Sequence, residues 1–243
     1  MKKTKPPSTS DADLKRRLVQ ASWILAMEGQ GDLVWGHASV RRPGSAIFWI
    51  KPTGLGLDEI KVEDLLLCDL DGRVVRGTKP RHIEVFIHSE VMRVRPDVCA
   101  VVHTHPIHPT AFASLGVPLQ AVTHEAAVFV PPDIPRFDET TDLINTPERG
   151  RAMARALGPH DALFLVSHGI VTSGTTIERA AINALLLDRA VRAQLLLGGA
   201  PVRHVSNEAD TKTKRELLLS DGHQALRWGY LLRKLARERR PGR

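Results

Sequence analysis

Apolar residues recur at helical spacing in several stretches of the chain. The first predicted helix begins at Asp11 and places Leu14, Leu18 and Ala21 on one face, with Gly29 just past its end. Later helices are predicted over residues 83–94, 109–116, 146–157 and 176–197, and over much of the C-terminal third with a break near Asp221-Gly222. Thr146 and Thr176 carry hydroxyls that suit the N-caps of two of these helices.

Short apolar runs between the helices predict strands. They are AIFWIK (46–51), LLLCDL (65–70), VCAVVH (98–103) and ALFLVSH (162–168). The Asp71-Gly72 turn leads from the second run into RVVRG and predicts a hairpin. Strands interleaved with helices, together with a hairpin, indicate an α/β fold in which helices cover a mixed sheet. We expect one domain over residues 11–243, after a disordered basic N-terminus at residues 1–10.

Composition and charge narrow the function classes. Hydrophobic residues make up 42% and charged residues 25% of the 243 residues, which is ordinary for a globular enzyme. No apolar run reaches the roughly 18 residues that span a bilayer, and polar residues follow the basic N-terminus, so we expect a cytoplasmic protein with no membrane partner. The net charge of +7 comes from the two ends, because residues 6–232 carry −1; we expect no nucleic-acid partner. Cys68 and Cys99 lie in apolar runs and are expected to be buried thiols.

Three histidines crowd the segment AVVHTHPIH at residues 100–108. His103 and His105 are two apart at the end of a predicted strand, so both imidazoles face the same side, as a zinc site requires. Such a pair alone is weak evidence for a metal site, because strand ends often carry solvated histidines. A binuclear β-lactamase pattern would need an aspartate two residues after the second histidine, and Ile107 occupies that position.

Further features strengthen a metal site. His168 follows the apolar strand at 162–168, which again places a histidine at the polar end of a buried strand. Glu84 and His88 are four apart on the helix predicted over 83–94, and therefore on one face. Thr53-Gly54 follows another strand and forms a possible anion-binding turn.

Five segments together resemble the class II aldolase/adducin family. They are GHASVR (36–41), IKPTGLG (50–56), DLLLCDLDGRVVRGTKP (64–80), IEVFIHSEVMRVRPDVCAVVHTHPIH (83–108) and LVSHGIVTSG (165–174). The 19 residues from Glu84 to His103 also match the family's spacing. The resemblance covers roughly residues 12–200, in order.

The resemblance implies a metal-dependent enzyme. His103, His105 and His168 match the histidines that bind one divalent ion per subunit, usually zinc and in some members manganese, cobalt or magnesium. Glu84 matches the acidic residue that completes the metal shell without substrate and then acts as general acid/base. The implied reaction passes through a metal-stabilised enolate. His108 matches a position that is usually outside the metal shell or structural.

The resemblance also implies a fold and an assembly. The fold would be a three-layer αβα sandwich around a central, largely antiparallel mixed sheet. The assembly would be a homotetramer with active sites at subunit interfaces. His88 matches another position that is usually outside the metal shell or structural, and Tyr230 loosely matches a C-terminal tyrosine that can donate a proton at a neighbouring site. Core packing is the alternative role for Tyr230, and it is the role we expect.

The chain departs from the sugar-phosphate members at the segment Arg81-His82-Ile83-Glu84. Those members carry two serines before the catalytic acid. Because isoleucine has no hydroxyl, a phosphate bound here would lack one hydrogen bond, which is worth roughly 1.5–3 kcal/mol. His37 replaces an asparagine of their phosphate loop, whereas Thr53-Gly54 is retained. An arginine–histidine pair suits a carboxylate. The alternative is that Arg81 and His82 are surface residues at a helix start.

This departure favours a particular substrate class. Family members that decarboxylate hydroxylated aromatic diacids, such as dihydroxyphthalate, resemble the chain in the GHxS and PRHxE segments. We therefore expect a decarboxylase that acts on a hydroxylated aromatic carboxylic acid of the dihydroxyphthalate kind. Its partner would be a small-molecule carboxylate or carbonyl substrate. The predicted substrate-binding positions are Arg81, His82, Thr53, Gly54, His37 and Ser39. An aldolase or epimerase acting on a sugar, sugar phosphate or 2-keto acid is the alternative, and a non-catalytic adducin-like scaffold is a third.

Overall fold

A computed structural model describes residues 10–239 of the chain. The helices are α1 (Asp11–Leu25), α2 (Val85–Val94), α3 (Ile107–Ala113), α4 (Pro147–Leu157), α5 (Ile177–Leu196), α6 (Glu208–Leu219) and α7 (Asp221–Glu238). The strands are β1 (His37–Val40), β2 (Ile47–Ile50), β3 (Leu66–Asp69), β4 (Val74–Arg76), β5 (Ala100–Thr104), β6 (Arg136–Phe137), β7 (Ala162–Leu165) and β8 (Gly169–Gly174). Apart from Ser10, which caps α1, the segment predicted to be disordered lies outside the described residues.

One sheet organises the molecule. Its strand order is β4-β3-β2-β1-β5-β8-β7-β6, and every neighbouring pair is antiparallel except β6 and β7. The predicted hairpin at Asp71-Gly72 joins β3 to β4, and Gly72 has the positive φ of 77° that such a turn favours. The mixed, largely antiparallel sheet is therefore confirmed.

Helices cover both faces of this sheet, as an αβα sandwich requires. Side chains alternate along each strand, so Val102 joins the core beneath α1, α3 and α5, while Val101 joins the core beneath α2 and α4. Both cysteines are buried free thiols, as predicted. Within the described residues, no helix is long and apolar enough to cross a membrane.

The helix caps follow the sequence prediction. Thr146 accepts a hydrogen bond from the Arg149 amide, and Thr176 accepts one from the Arg179 amide. The predicted helix over 83–94 begins later than expected, at Val85, which leaves Glu84 at its N-cap. The strands predicted at 98–103 and 162–168 are β5 and β7, and β7 ends before the turn that carries His168.

The arginine of the GHASVR segment has a structural role. Arg41 is buried, and its guanidinium donates hydrogen bonds to the carbonyls of Val98, Ser45 and Arg95. It therefore ties the end of β1 to the loop that leads into β5. Since β1 and β5 both carry site histidines, this contact fixes two neighbouring parts of the site.

Candidate metal centre and active site

Three histidines converge at one edge of the sheet. His103 is the fourth residue of β5 and is fully buried, His105 follows that strand, and His168 lies in the turn between β7 and β8. His103 Nε2 and His105 Nε2 are 2.9 Å apart. One nitrogen from each of the three rings lies within 4.8 Å of the others. The structure thus brings together the three predicted metal ligands.

The turn that carries His168 is shaped by its two neighbours. Ser167 has a φ of 58°, which is uncommon for a residue with a side chain and marks a tight local constraint. Gly169 packs so closely on β5 that an added Cβ would lie 2.5 Å from the Thr104 carbonyl oxygen. A larger residue would push β8 away from β5. This glycine therefore holds His168 next to His105.

Hydrogen bonds orient two of the rings toward the common centre. His103 Nδ1 donates to the Ile170 carbonyl at 2.9 Å, and His105 Nδ1 donates to Asp32 Oδ2 at 3.0 Å. Because neutral imidazole carries one proton, both Nε2 atoms are then lone-pair donors that face each other. Two lone pairs at such a distance repel unless a cation lies between them. The donor set therefore fits a divalent metal ion.

Burial keeps the imidazoles neutral. It lowers the pKa of His103 well below its usual range, with His105 and His168 adding repulsion. It also lowers the pKa of His168 to about 4, and the neighbouring His105 adds to this effect. Neutral imidazole is the form that binds metals. At neutral pH the rings therefore need not lose a proton before they bind a cation.

Asp32 is expected to matter for metal affinity although it does not face the common centre. Asp32→Ala would free the His105 ring to rotate or change tautomer, and loss of such a carboxylate partner typically costs 10–100-fold in metal affinity. We expect a loss of that size in zinc affinity, measured by competition with a chelating dye. Asp188→Ala is the matched control, because Asp188 pairs with His108 outside the cluster. Equal zinc affinity in the Asp32 variant and the wild type would contradict this role.

Glu84 lies directly beside the histidines. Its Oε1 is 3.5 Å from His168 Nε2, and its Oε2 is 3.8 Å from His103 Nε2. The Ile144 amide donates to Oε1 at 2.9 Å and fixes the carboxylate. Burial raises the pKa of Glu84, and the Ile144 hydrogen bond partly opposes this. Glu84 therefore combines a position beside the three histidines with an increased tendency to hold a proton, as a general acid/base requires.

Glu84 and His88 both approach His37 of β1. His88 points directly at this strand. There its Nε2 lies 2.6 Å from His37 Nδ1, and its Nδ1 lies 2.7 Å from Ser39 Oγ. His37 Nε2 in turn lies 3.8 Å from Glu84 Oε2. Of the two predicted β1 residues, His37 reaches the site, whereas Ser39 contacts His88.

The predicted substrate-binding segment is divided between the interior and the surface. His82 is buried, its ring lies 4.1 Å from that of His37, and burial lowers its pKa to about 4. The Arg81 guanidinium turns back, donates to the His82 carbonyl at 2.9 Å and lies over Phe86. His82 is thus not a surface residue, and it faces the site's histidines.

The predicted anion-binding turn lies against this segment. The Thr53 amide donates to the Pro80 carbonyl at 3.1 Å, and Gly54 adopts a φ of 81°. These two residues therefore lie next to the loop that leads into His82 and Glu84.

Two predicted residues lie apart from the cluster in this chain. His108 Nδ1 pairs with Asp188 Oδ1 at 3.4 Å, and no contact joins His108 to the cluster within the described residues. Tyr230 lies on α7 and is 51% exposed, so the expected core packing is wrong. Its neighbour Trp228 packs partly against the core instead.

Two polar residues near the site were not predicted. Asp32 reaches His105 across 73 positions of sequence, and only the folded chain shows this contact. Lys51 is fully buried, and its Nζ donates to the carbonyls of Val34 and Pro52. Burial lowers the pKa of Lys51 to about 8. In the sequence, a lysine directly after the apolar strand AIFWI could have indicated this buried position.

Comparison with known proteins agrees with the geometry. Residues 16–195 match the class II aldolase and adducin N-terminal domain. The meiotically up-regulated gene 14 protein of Schizosaccharomyces pombe is 33% identical over 202 residues, covering 80% of this chain and 78% of that protein. Decarboxylase NovR of Streptomyces niveus is 36% identical over 155 residues, covering 63% of this chain and 57% of NovR.

A solved structure shows the same fold. The L-fuculose 1-phosphate aldolase of Glaciozyma antarctica superposes with a TM-score of 0.82 at 30% identity, covering 96% of this chain and 94% of that one. The match of the family domain to most of the chain, together with this fold, establishes the relationship. The chain belongs to the class II aldolase and adducin family.

Proposed function

We propose that this protein is a divalent-metal-dependent carbon–carbon lyase that decarboxylates a hydroxylated aromatic carboxylic acid of the dihydroxyphthalate kind. The observation that carries this proposal is the segment 81–84 beside the metal centre. His82 and Ile83 stand where sugar-phosphate members have two phosphate-binding serines, and buried His82 packs on His37 at the site. Similarity to decarboxylase NovR supports the same reaction class.

His103, His105 and His168 would hold the ion, with Glu84 completing the shell when substrate is absent. When bound, a divalent cation supplies Lewis-acid polarisation of substrate oxygens. Zinc is the expected ion, since the donor set is three imidazoles. Manganese, cobalt and magnesium are the alternatives.

Side chains of the protein would supply the proton that the reaction needs. Decarboxylation breaks the bond between the ring carbon and the carboxylate, and the electron pair stays with the ring as carbon dioxide leaves. That ring carbon must then gain a proton. Glu84, which is held by the Ile144 amide and whose pKa is raised by burial, would deliver this proton. His82 and His37, both buried at the same site, would contact the polar groups of the substrate.

An aldolase or epimerase acting on a sugar, sugar phosphate or 2-keto acid is the second candidate. The likeness to L-fuculose 1-phosphate aldolase, at 30% identity over nearly the whole chain, favours it. The turn at Thr53-Gly54 is also kept. An adducin-like scaffold is less well supported, since all three histidines and Glu84 are present and assembled.

The expected setting is a cytoplasmic homo-oligomer with sites at subunit interfaces. Leu33, Trp35 and Ile107 are large, exposed apolar residues close in sequence to the site residues Asp32 and His105. Such residues around an active site favour coverage by another surface.

Two assays on the zinc- or manganese-loaded protein separate the candidates. We expect carbon dioxide release from 4,5-dihydroxyphthalate and no aldol cleavage or condensation with dihydroxyacetone phosphate. Turnover only in the aldol assay would refute the decarboxylase assignment. Absence of bound metal together with absence of any turnover would refute the enzyme assignment and favour the scaffold.

A further inference from the structure

Ser39, His88 and His37 form a buried hydrogen-bonded chain that ends in the active site. The Ser39 hydroxyl meets His88 Nδ1 at 2.7 Å, and His88 Nε2 meets His37 Nδ1 at 2.6 Å. All three residues are fully buried. The last atom, His37 Nε2, has no hydrogen-bond partner among the described residues and lies 3.8 Å from Glu84 Oε2. An unpartnered buried polar atom at a site of this kind points to a ligand.

The direction of the protons along this chain decides what His37 offers. If Ser39 donates to His88, then His88 donates from Nε2, and His37 carries its own proton on Nε2. In the reverse arrangement, His88 Nδ1 would donate to Ser39 Oγ, and the Val101 backbone also lies close to the His88 ring. The Ser39 hydroxyl would then lack an acceptor among the described residues, and a His37 lone pair would face the Glu84 carboxylate. Both consequences are unfavourable in a buried site.

We propose that Ser39 and His88 are positioning residues that hold His37 as its Nε2–H tautomer, so that His37 donates a hydrogen bond to a substrate oxygen beside Glu84. The substrate part of this inference rests on the proposed function, whereas the tautomer does not. A protonated Nε2 cannot ligate a metal. His37 therefore lies outside the metal shell, although its ring nitrogen is within 4.8 Å of ligand atoms of Glu84 and His103.

The surroundings of His37 suit a fixed donor. The His82 ring packs on one side at 4.1 Å, and the His103 ring lies 5.0 Å away. Rotation of His37 would also break its contact with His88. A donor fixed in this way favours substrates that place an anionic oxygen next to Glu84, such as a carboxylate or phenolate, because hydrogen bonds to charged groups are the stronger ones.

The tautomer is measured by 15N NMR on zinc-free protein labelled at histidine, with the His37 signals identified by their loss in His37→Asn. We expect a protonated Nε2 and an unprotonated Nδ1 in the wild type. His88→Gln, whose amide keeps a donor, should preserve this state. His88→Phe, which fills the volume without a nitrogen, should produce a mixture of tautomers. A His37 proton found on Nδ1 in the wild type would overturn the proposal.

The Ser39 variants provide a second test that does not depend on tolerance of phenylalanine at position 88. Ser39→Ala removes the hydroxyl proton and should also mix the tautomers, whereas Ser39→Thr keeps the hydroxyl and should restore the wild-type signals. A Ser39→Ala protein with unchanged His37 signals would contradict a positioning role for Ser39.

The donor role is tested with 3,4-dihydroxybenzoate as a non-reacting probe. Calorimetry on zinc-loaded protein should show binding weakened about 10- to 100-fold in His37→Phe, the usual effect of losing a hydrogen bond to a charged group. Zinc content should stay at the wild-type level. Loss of zinc in this variant would make His37 a ligand and overturn the proposal. If the wild-type protein shows the expected tautomer but does not bind the probe, the proposed substrate class is refuted instead.

Discussion

Replacing His168 by alanine is expected to lower zinc affinity by more than a hundredfold. His168 supplies one of three imidazoles, and loss of a ligand must cost more than loss of its outer partner, which typically costs 10–100-fold. His168 lies in a turn and its side chain is 11% exposed, so the substitution leaves the main cores intact. The measurement is metal content after dialysis against a weak chelator, with competition titration for the affinity.

His108→Ala is the matched control for this loss. His108 lies in the same histidine-rich segment as two of the ligands, yet it pairs with Asp188 rather than with the cluster. We expect wild-type zinc content in this variant. Zinc retained at full affinity by His168→Ala, or lost equally in both variants, would remove His168 from the metal centre.

Glu84→Gln is expected to keep the metal and to lose about 10²- to 10⁴-fold in turnover, the range typical of a general acid/base. Glutamine preserves the size of the side chain, and its carbonyl can still accept from the Ile144 amide. It cannot deliver or take a proton in the reaction. The three histidines remain, so the zinc content should be unchanged. Turnover is followed by carbon dioxide release under saturating substrate.

Glu90→Gln serves as the control, because Glu90 is a buried glutamate within α2 whose side chain lies near Arg93 instead of the histidines. Its turnover should equal that of the wild type. Full activity in Glu84→Gln would exclude Glu84 from proton transfer, whereas loss of zinc in that variant would assign Glu84 mainly to the metal shell.

Local sequence patterns predicted the parts of the site that depend on strand and helix geometry. His103 and His105 face one centre because they are two apart at the end of β5, and His168 follows β7, two strands away in the same sheet. The caps at Thr146 and Thr176 and the hairpin at Asp71-Gly72 were likewise visible, since each depends on a few neighbouring residues.

Contacts between distant segments could not be predicted in the same way. The strand β1 is only four residues long, HASV, and no alternation distinguishes it from a loop. The contacts of His88 depend on how α2 packs against β1, which brings the His88 ring to His37 and Ser39. Asp32, which precedes β1, reaches His105, which follows β5, because these two strands are paired. These features follow from tertiary packing, which local pattern does not determine.

The resemblance to the family supplied the function classes, and the structure refined the assignment of individual residues. Sequence grouped Ser39 and His37 as substrate contacts. The fold separates them, because Ser39 binds His88 while His37 faces Glu84. Arg81 and His82 are adjacent in sequence, but Arg81 lies over Phe86 whereas His82 packs on His37.

We expect the three-histidine centre to bind one divalent ion, and we expect carbon–carbon cleavage to depend on that ion. The most direct measurement is a titration of metal-stripped protein with zinc, and in parallel with manganese, while carbon dioxide release from 4,5-dihydroxyphthalate is recorded. We expect carbon dioxide release to rise from zero and to reach its maximum at one ion per chain. Cleavage that is equally fast in the stripped protein, or an absence of cleavage at every metal concentration, would contradict it.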